Sequence, residues 1–128
     1  MINVLVVDDH PQLNQSLCKV IRAEGHRAIS VASGEDALAL LAADRADLVI
    51  LDISMPGMSG IDVLRALRAD PLTAALPIVM FSAKADSALR QQALELGAND
   101  YWVKGETDPA LFCGILEKLV RAPAPAQE

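Results

Sequence analysis

The sequence predicts a doubly wound α/β sandwich, in which a five-stranded parallel sheet is flanked by five helices. Five short apolar runs alternate with five helical patterns along the 128 residues, which is the order of a layered α/β fold. Apolar residues make up 52% of the chain and aromatic residues only 3%, so the predicted core is aliphatic, as in sheets covered by helices. A chain of this length suits one domain with a substantial core.

The strands are predicted from short apolar runs. Three runs are apolar without a break, which indicates strands buried on both faces of a parallel sheet. These uninterrupted segments are Val4–Val7, Leu48–Leu51 and Ile78–Phe81. The full set of predicted strands is Asn3–Val7, Arg27–Ala32, Asp47–Leu51, Pro77–Phe81 and Asn99–Val103.

The first three helices are predicted from residues typical of helix ends. Pro11 suits the first position of a helix that Gly25 can end in a left-handed conformation. The next two helices each begin with a serine followed three residues later by an aspartate, the spacing of a reciprocal N-terminal cap. The two pairs are Ser33 with Asp36 and Ser59 with Asp62.

Two further helices complete the alternation. The fourth is predicted to begin at Asp86 or Ser87 and to stop at Gly97, and the fifth to begin at Asp108-Pro109. The apolar side of the fifth helix consists of Leu111, Phe112, Ile115, Leu116 and Leu119. Residues 122–128 contain two prolines and are predicted to form a solvated tail or the stub of a linker. The predicted domain therefore covers residues 1–121.

Composition excludes several classes of function. The formal net charge is −6 and the chain has no basic stripe, which disfavours direct nucleic-acid binding. Cys18 and Cys113 have no metal-ligand spacing, and we interpret them as reduced, partly buried thiols. The chain shows neither a signal-peptide pattern nor an apolar run of membrane-spanning length. We therefore expect a soluble cytoplasmic protein with no membrane partner.

Five polar side chains follow the predicted strands at their carboxyl ends. Asp8 and Asp9 follow the first strand, Asp52 the third, Ser82 the fourth and Lys104 the fifth. In an open parallel sheet these ends meet at one edge, where ligands bind. The sequence therefore predicts three carboxylates, one hydroxyl and one ammonium at a single site.

Three crowded carboxylates repel one another unless a cation or raised pKa values relieve them. Mg²⁺ would do so through oxygen ligands and retained waters. We expect Asp9 and Asp52 to bind the ion directly, Asp8 through water, and the main-chain carbonyl of Ser54 to be a further ligand. A free oxygen of Asp52 could then attack phosphorus, while Lys104 neutralises the transferring phosphoryl group.

Four motifs give these residues a more specific meaning. They are Val6-Val7-Asp8-Asp9, Leu51-Asp52-x-x-Met55-Pro56-Gly57, Phe81-Ser82-Ala83 and Tyr101-x-x-Lys104. In this order they resemble the signature of bacterial response-regulator receiver domains, and the likeness covers residues 2–121. The resemblance implies a flavodoxin-like (CheY-like) fold and a phosphoprotein of a two-component phosphorelay.

The resemblance also implies roles for individual residues. Asp52 would be the phosphoacceptor, Asp8 and Asp9 the acidic pair that holds Mg²⁺ (or Mn²⁺ in its place), and Lys104 the phosphoryl-binding lysine. The hydroxyl of Ser82 would bind the attached phosphoryl group. Tyr101 would be the aromatic side chain that turns inward on activation, although a half-buried strand aromatic is an equally good interpretation.

Partners follow from the same resemblance. A histidine kinase or a phosphotransfer protein would supply the phosphoryl group, and an unknown protein target or output domain would read the change. The chain would not be an enzyme in the ordinary sense, because it would assist only its own phosphorylation and dephosphorylation. Any phosphorylation-dependent homodimer would use the surface of the fourth helix, fifth strand and fifth helix.

One departure from the family's pattern concerns the last loop. The family's lysine is usually followed by proline, commonly in a cis peptide, whereas Lys104 is followed by Gly105. A cis bond before a residue other than proline costs roughly 2.5–4 kcal/mol. We therefore predict a trans peptide, with Gly105 adopting torsions that keep Lys104 within reach of Asp52.

Three alternatives remain open at this stage. A phosphohydrolase of the haloacid-dehalogenase kind needs a second acid two residues after its nucleophile, where this chain has Ser54. A flavin-binding domain needs a Ser/Thr-rich loop after the first strand, where Asp8 and Asp9 would repel phosphate. A degenerate receiver would bind partners without phosphorylation, although the complete set of acids, hydroxyl and lysine argues against it.

Overall fold

The computed structural model describes residues 1–83, 85–106, 114, 117, 118 and 120. The strands are β1 (Asn3–Val7), β2 (Arg27–Val31), β3 (Leu48–Asp52), β4 (Ile78–Ser82) and β5 (Asp100–Val103). The helices are α1 (Pro11–Ala23), α2 (Gly34–Ala43), α3 (Gly60–Ala69) and α4 (Ser87–Glu95). Strand and helix alternate along the described chain, as the sequence predicts.

The sheet is parallel throughout and has the order β2-β1-β3-β4-β5. The chain therefore reverses its winding direction between β1 and β3, which is where ligands bind in doubly wound sheets. Every residue of β3 and β4 is buried, and four of the five in β1. The three uninterrupted apolar runs thus form the centre of the sheet, and the predicted flavodoxin-like arrangement is confirmed.

Two strands end one residue later than predicted. Asp52 pairs with Phe81, and Ser82 pairs with Val103, so each polar residue closes its strand. The prediction from apolar residues placed these strand ends too early because the last side chain of each strand is polar. Main-chain pairing does not depend on side-chain polarity. Both polar groups are consequently held by the sheet itself and do not depend on a loop for their position.

Each face of the sheet is covered by a separate apolar cluster. On one face α2, α3 and α4 pack on a cluster that contains Leu5, Leu51, Leu64 and Met80. On the other face α1 packs through Leu17, Cys18 and Ile21 on a cluster that contains Val6, Ile50 and Trp102. Adjacent strand residues point to opposite faces, so Tyr101 and Trp102 belong to different clusters.

The helix ends match most of the predicted capping residues. Pro11 opens α1, and Gly25, with φ of +87°, follows its C-terminus. Ser59 and Asp62 form the complete reciprocal cap of α3. At α2 the side chain of Ser33 accepts a hydrogen bond from the Asp36 amide.

The fourth helix begins at Ser87 with Asp86 as its cap. The start of the fifth helix, its predicted apolar side and the tail over 122–128 lie outside the described residues, as does Cys113; Gly114, Glu117, Lys118 and Val120 are helical. Within the described part of the chain, no helix has the length and apolar character needed to cross a membrane.

Candidate functional site

The predicted polar residues converge at the carboxyl edge of the sheet. Asp8 follows β1, Asp52 closes β3, and Lys104 follows β5. The Lys104 ammonium lies 2.9 Å from Oδ2 of Asp8 and 3.4 Å from Oδ1 of Asp52. Only 2% of each aspartate side chain is exposed, and 17% of the lysine side chain. Lys104 therefore joins two buried carboxylates at the carboxyl ends of different strands.

The two oxygens of Asp52 have different surroundings. Oδ1 faces Lys104 and accepts a hydrogen bond of 3.3 Å from the amide of Ser54. Oδ2 is buried and has no hydrogen-bond partner among the described residues. A buried carboxylate oxygen without a partner is costly, which points to a ligand at this position.

Burial and neighbouring charges shift the pKa values of Asp52 and Lys104. Burial raises the pKa of Asp52 above its ordinary value, the charge of Asp8 raises it further, and Lys104 opposes both effects. Burial alone would lower the pKa of Lys104, but the hydrogen bond with Asp8 and the charge of Asp52 outweigh it, so this pKa is raised. The ammonium therefore stays charged at neutral pH while it faces the two carboxylates.

The loop after β5 confirms the expectations for Gly105. The described residues contain no cis peptide bond, and Gly105 has a φ of +86°. Few residues other than glycine adopt this conformation readily. The amide of Lys104 also donates a 2.7 Å hydrogen bond to the carbonyl of Ser82. The Lys104–Gly105 peptide is therefore trans, and the main chain of Lys104 is hydrogen-bonded to the end of β4 while its side chain reaches Asp52.

Ser82 and Tyr101 are buried in the two strands beyond β3, Ser82 in β4 and Tyr101 in β5. Ser82 is 2% exposed and lies at the end of β4, beside β3 and β5. Tyr101 is 4% exposed and packs in the cluster under α2, α3 and α4. Its side chain is therefore fully buried in this structure. A change of its rotamer on activation stays a prediction.

Gly60 holds the loop that follows Asp52 against the sheet. Its amide donates a 2.9 Å hydrogen bond to the carbonyl of Ile53. A Cβ atom at this position would overlap the main-chain carbonyl of Asp52. The first residue of α3 can approach β3 this closely because it has no side chain.

Sequence reasoning missed two residues at this site. His10, which precedes α1, places Nδ1 2.8 Å from Oδ1 of Asp8 and 3.2 Å from Oδ1 of Asp9. Its hydrogen bond with Asp8 and the charges of both acids raise the pKa of the imidazole. Asn14 is buried in α1, and its amide donates a 2.5 Å hydrogen bond to the carbonyl of Asp8. A polar residue on the buried stripe of α1 was the available signal for Asn14.

Comparison with known proteins decides the family. Residues 4–115 match the sequence profile described as "Response regulator receiver domain". The chain belongs to this family. Membership makes it a receiver domain of two-component signalling, and it excludes the phosphohydrolase and flavin-binding alternatives.

Individual relatives are consistent with this assignment. The chain is 46% identical over 118 residues to the DNA-binding response regulator MtrA of Mycolicibacterium smegmatis, a match that covers 92% of this chain and 50% of MtrA. The receiver domain thus spans about half the length of the curated relatives it matches.

Two solved structures share the fold. The response regulator TrrA of Thermotoga maritima, solved in complex with Mg²⁺-BeF, has a TM-score of 0.81 and 32% identity, covering 93% of this chain and 99% of TrrA. The receiver domain of a sensor histidine kinase from Pseudomonas aeruginosa, with a magnesium ion in its active-site cleft, has a TM-score of 0.85 and 27% identity. That match covers 94% of this chain and 98% of the other.

The residues of this receiver domain suit a divalent cation. Asp8, Asp9, His10 and Asp52 each offer one ligand atom, and these atoms all lie within 4.8 Å of one another. The unpartnered Oδ2 of Asp52 is among the buried oxygens of the cluster. Ser54 follows two residues later, and its amide contacts Asp52, so its main chain adjoins the cluster. Ligation by the Ser54 carbonyl stays a prediction.

Proposed function

We propose that Asp52 accepts a phosphoryl group from a phosphohistidine of a histidine kinase or a phosphotransfer protein. The observation that carries this proposal is the unequal environment of the two Asp52 oxygens. Lys104 and the Ser54 amide hold Oδ1, whereas Oδ2 is buried without a hydrogen-bond partner in the described chain. The carboxylate is thereby oriented, so that one oxygen can face the cation while the other forms the new bond.

The transfer is a displacement at phosphorus. A carboxylate oxygen of Asp52 forms the O–P bond while the P–N bond of the donor breaks, and the leaving imidazole takes up a proton. Lys104 stays charged beside Asp52 and stabilises the negative charge on the phosphoryl oxygens. Ser82, at the adjacent strand end, donates a hydrogen bond to the attached group.

Mg²⁺, or Mn²⁺ in its place, is the cation proposed for the acidic cluster. When bound, it neutralises charge on the transferring group. Asp9 and Asp52 hold it directly, Asp8 through water, and Ser54 through its carbonyl. Burial and the charge of Asp8 raise the pKa of Asp52. A bound cation would stabilise the ionised carboxylate against both effects.

Asp52, the acidic pair and the cation requirement are tested by following intact mass after incubation with a small-molecule phosphodonor. The wild type gains the mass of one phosphoryl group with Mg²⁺ and not with chelator. Asp52→Asn and Asp9→Ala lose the gain, whereas Asp36→Asn, an exposed residue in the first turn of α2, keeps it. A normal gain in Asp52→Asn or in chelator contradicts the assignment, and no gain in any form favours the degenerate receiver.

Activation is proposed to change the surface of α4, β5 and the helix that follows. Movement of the Ser82 hydroxyl toward the phosphoryl group alters the space beside Tyr101, and this two-state element is biased by one change of charge. Beryllofluoride is a stable phosphoryl mimic, so it should alter amide hydrogen exchange across residues 82–104. Binding of the mimic with unchanged exchange in that stretch would refute the switch.

The output is proposed to lie with another protein or with a further domain. Relatives such as MtrA are named as DNA-binding regulators, but an acidic receiver is unsuited to hold DNA itself. We propose instead that the surface of α4 and β5 docks the downstream target, or a second copy in a phosphorylation-dependent homodimer. The cytoplasmic location and the domain limits of 1–121 expected from the sequence are part of this proposal.

A further inference from the structure

The imidazole of His10 lies among the acids of the candidate metal site. His10 precedes α1, and its amide donates a 2.9 Å hydrogen bond to Oδ1 of Asp8. Its Nδ1 lies 2.8 Å from the same oxygen and 3.2 Å from Oδ1 of Asp9. A nitrogen that could ligate a metal is therefore placed beside both members of the acidic pair.

The separation of Nδ1 from Asp9 suits neighbouring ligands of one ion. Two ligands of a tetrahedral Zn²⁺ ion, each at roughly 2.1 Å, lie about 3.4 Å apart. The distance from Nδ1 to Oδ1 of Asp9, 3.2 Å, is close to that value, whereas the 2.8 Å contact with Asp8 is a hydrogen bond. The backbone of His10 is fixed by its hydrogen bond to Asp8, whereas 65% of the side chain is exposed. The ring can therefore adjust by a few tenths of an ångström without moving the core.

The remaining contacts leave suitable oxygens for the same ion. Lys104 lies against Oδ2 of Asp8 and Oδ1 of Asp52. Oδ1 of Asp9 and Oδ2 of Asp52 are both buried without a hydrogen bond from the described residues. The contact between Asp9 and His10 is not a hydrogen bond because Nδ1 carries at most one hydrogen, which the shorter contact directs to Asp8. The buried Oδ2 of Asp52 is the independent sign that a ligand belongs here.

We propose that His10 is a nitrogen ligand at this site and that it makes the site selective for a late first-row divalent cation, such as Zn²⁺, over Mg²⁺. The inference rests on the acidic cation site of the proposed function. Mg²⁺ takes oxygen ligands and retained waters, so it uses the carboxylates and leaves the imidazole unligated. Zn²⁺ binds imidazole well and gains an additional ligand.

The test is calorimetric titration of the untagged protein with Mg²⁺ and with Zn²⁺, at about pH 8.5 to favour the neutral imidazole. His10→Ala should weaken Zn²⁺ binding about 10- to 100-fold, since even loss of a group that only orients a metal ligand costs that much. The Mg²⁺ affinity of the same variant should stay within about twofold. Equal losses for both ions, or no loss for Zn²⁺, would overturn the proposal.

Two controls separate this inference from the proposed function. Asp9→Ala should lose Mg²⁺ binding; if it binds Mg²⁺ normally, the acidic site itself is wrong. The only other histidine is His26, and His26→Gln should leave both affinities unchanged. Nitrogen-15 spectra of the His10 ring add a direct observation. Zn²⁺ should fix the ring with its hydrogen on Nε2, because Nδ1 becomes the ligand atom, and Mg²⁺ should not.

Discussion

The ammonium of Lys104 lies 3.4 Å from Oδ1 of Asp52, although Asp52 closes β3 and Lys104 follows β5, and these two strands are not adjacent in the sheet. The trans peptide before Gly105 and the amide hydrogen bond to Ser82 fix this approach. The ammonium of Lys104 is therefore held at the site without the proline that usually follows this lysine in the family.

Removing that ammonium should destabilise the domain. Lys104→Met leaves two buried carboxylates without their cation, and loss of one partner of a buried ion pair costs about 3–5 kcal/mol. We expect the lower part of this range because Lys104 is 17% exposed. Urea unfolding in chelator measures the loss, which Mg²⁺ should reduce by restoring positive charge. The exposed Lys19→Met is the matched control, and a loss as small as that of the control would refute the role of the pair.

Neutralising Asp52 should have the opposite effect. Because its pKa is higher in the folded than in the unfolded protein, the ionised carboxyl opposes folding and the protonated form does not. In chelator at neutral pH, Asp52→Asn should therefore unfold at a higher urea concentration than the wild type. This gain should shrink as the pH falls through the raised pKa of the folded protein, and it should be absent below the ordinary value of 3.8. A variant less stable than the wild type at neutral pH would show that the carboxylate is not strained.

Gly60 should tolerate no side chain. In Gly60→Ala the added methyl group would overlap the Asp52 carbonyl, which belongs to the central strand β3 and cannot move away. Overpacking of this kind costs about 1–3 kcal/mol or more, and the displaced loop should also slow phosphorylation. Gly114 is helical, and no atom of the described residues lies near the position that a Cβ atom would take, so Gly114→Ala should stabilise by about 0.5–1 kcal/mol. Equal stability of the two variants would contradict the proposed packing.

Arg68 should stabilise the edge of the sheet opposite the site. Its guanidinium donates hydrogen bonds to four main-chain carbonyls and one side-chain amide. These acceptors belong to Thr73, Ala74, Leu76, Gly97 and Asn99. Arg68→Met leaves several of them unsatisfied, so we expect a loss of at least about 3 kcal/mol in urea unfolding. Arg65→Met, on the exposed side of the same helix, should change stability by less than about 0.5 kcal/mol.

Much of the site could be predicted because it depends on topology. Asp8, Asp52 and Lys104 are far apart in sequence, but the carboxyl ends of parallel strands must meet at one edge. The fold could be predicted from the apolar runs, because the central strands are buried on both faces and are therefore apolar without a break. Strand ends were less predictable, because Asp52 and Ser82 continue the main-chain pairing with polar side chains.

The contributions of His10 and Asn14 could not be predicted with the same certainty. Each depends on where one side chain points after the start of α1 is positioned, and a pattern of residue types does not contain that direction. Arg68 is a similar case. Its acceptors come from two loops, one before β4 and one before β5, which only the folded chain brings together.

The most direct measurement is the location of the phosphoryl group. Borohydride reduces an aspartyl phosphate to homoserine, which peptide mass mapping identifies. After incubation with a phosphodonor and Mg²⁺, we predict homoserine at position 52 and at no other aspartate, and none when chelator is present. Homoserine at Asp8 or Asp9, or a phosphorylated protein with an unmodified Asp52, would contradict the assignment of Asp52 as the phosphoacceptor.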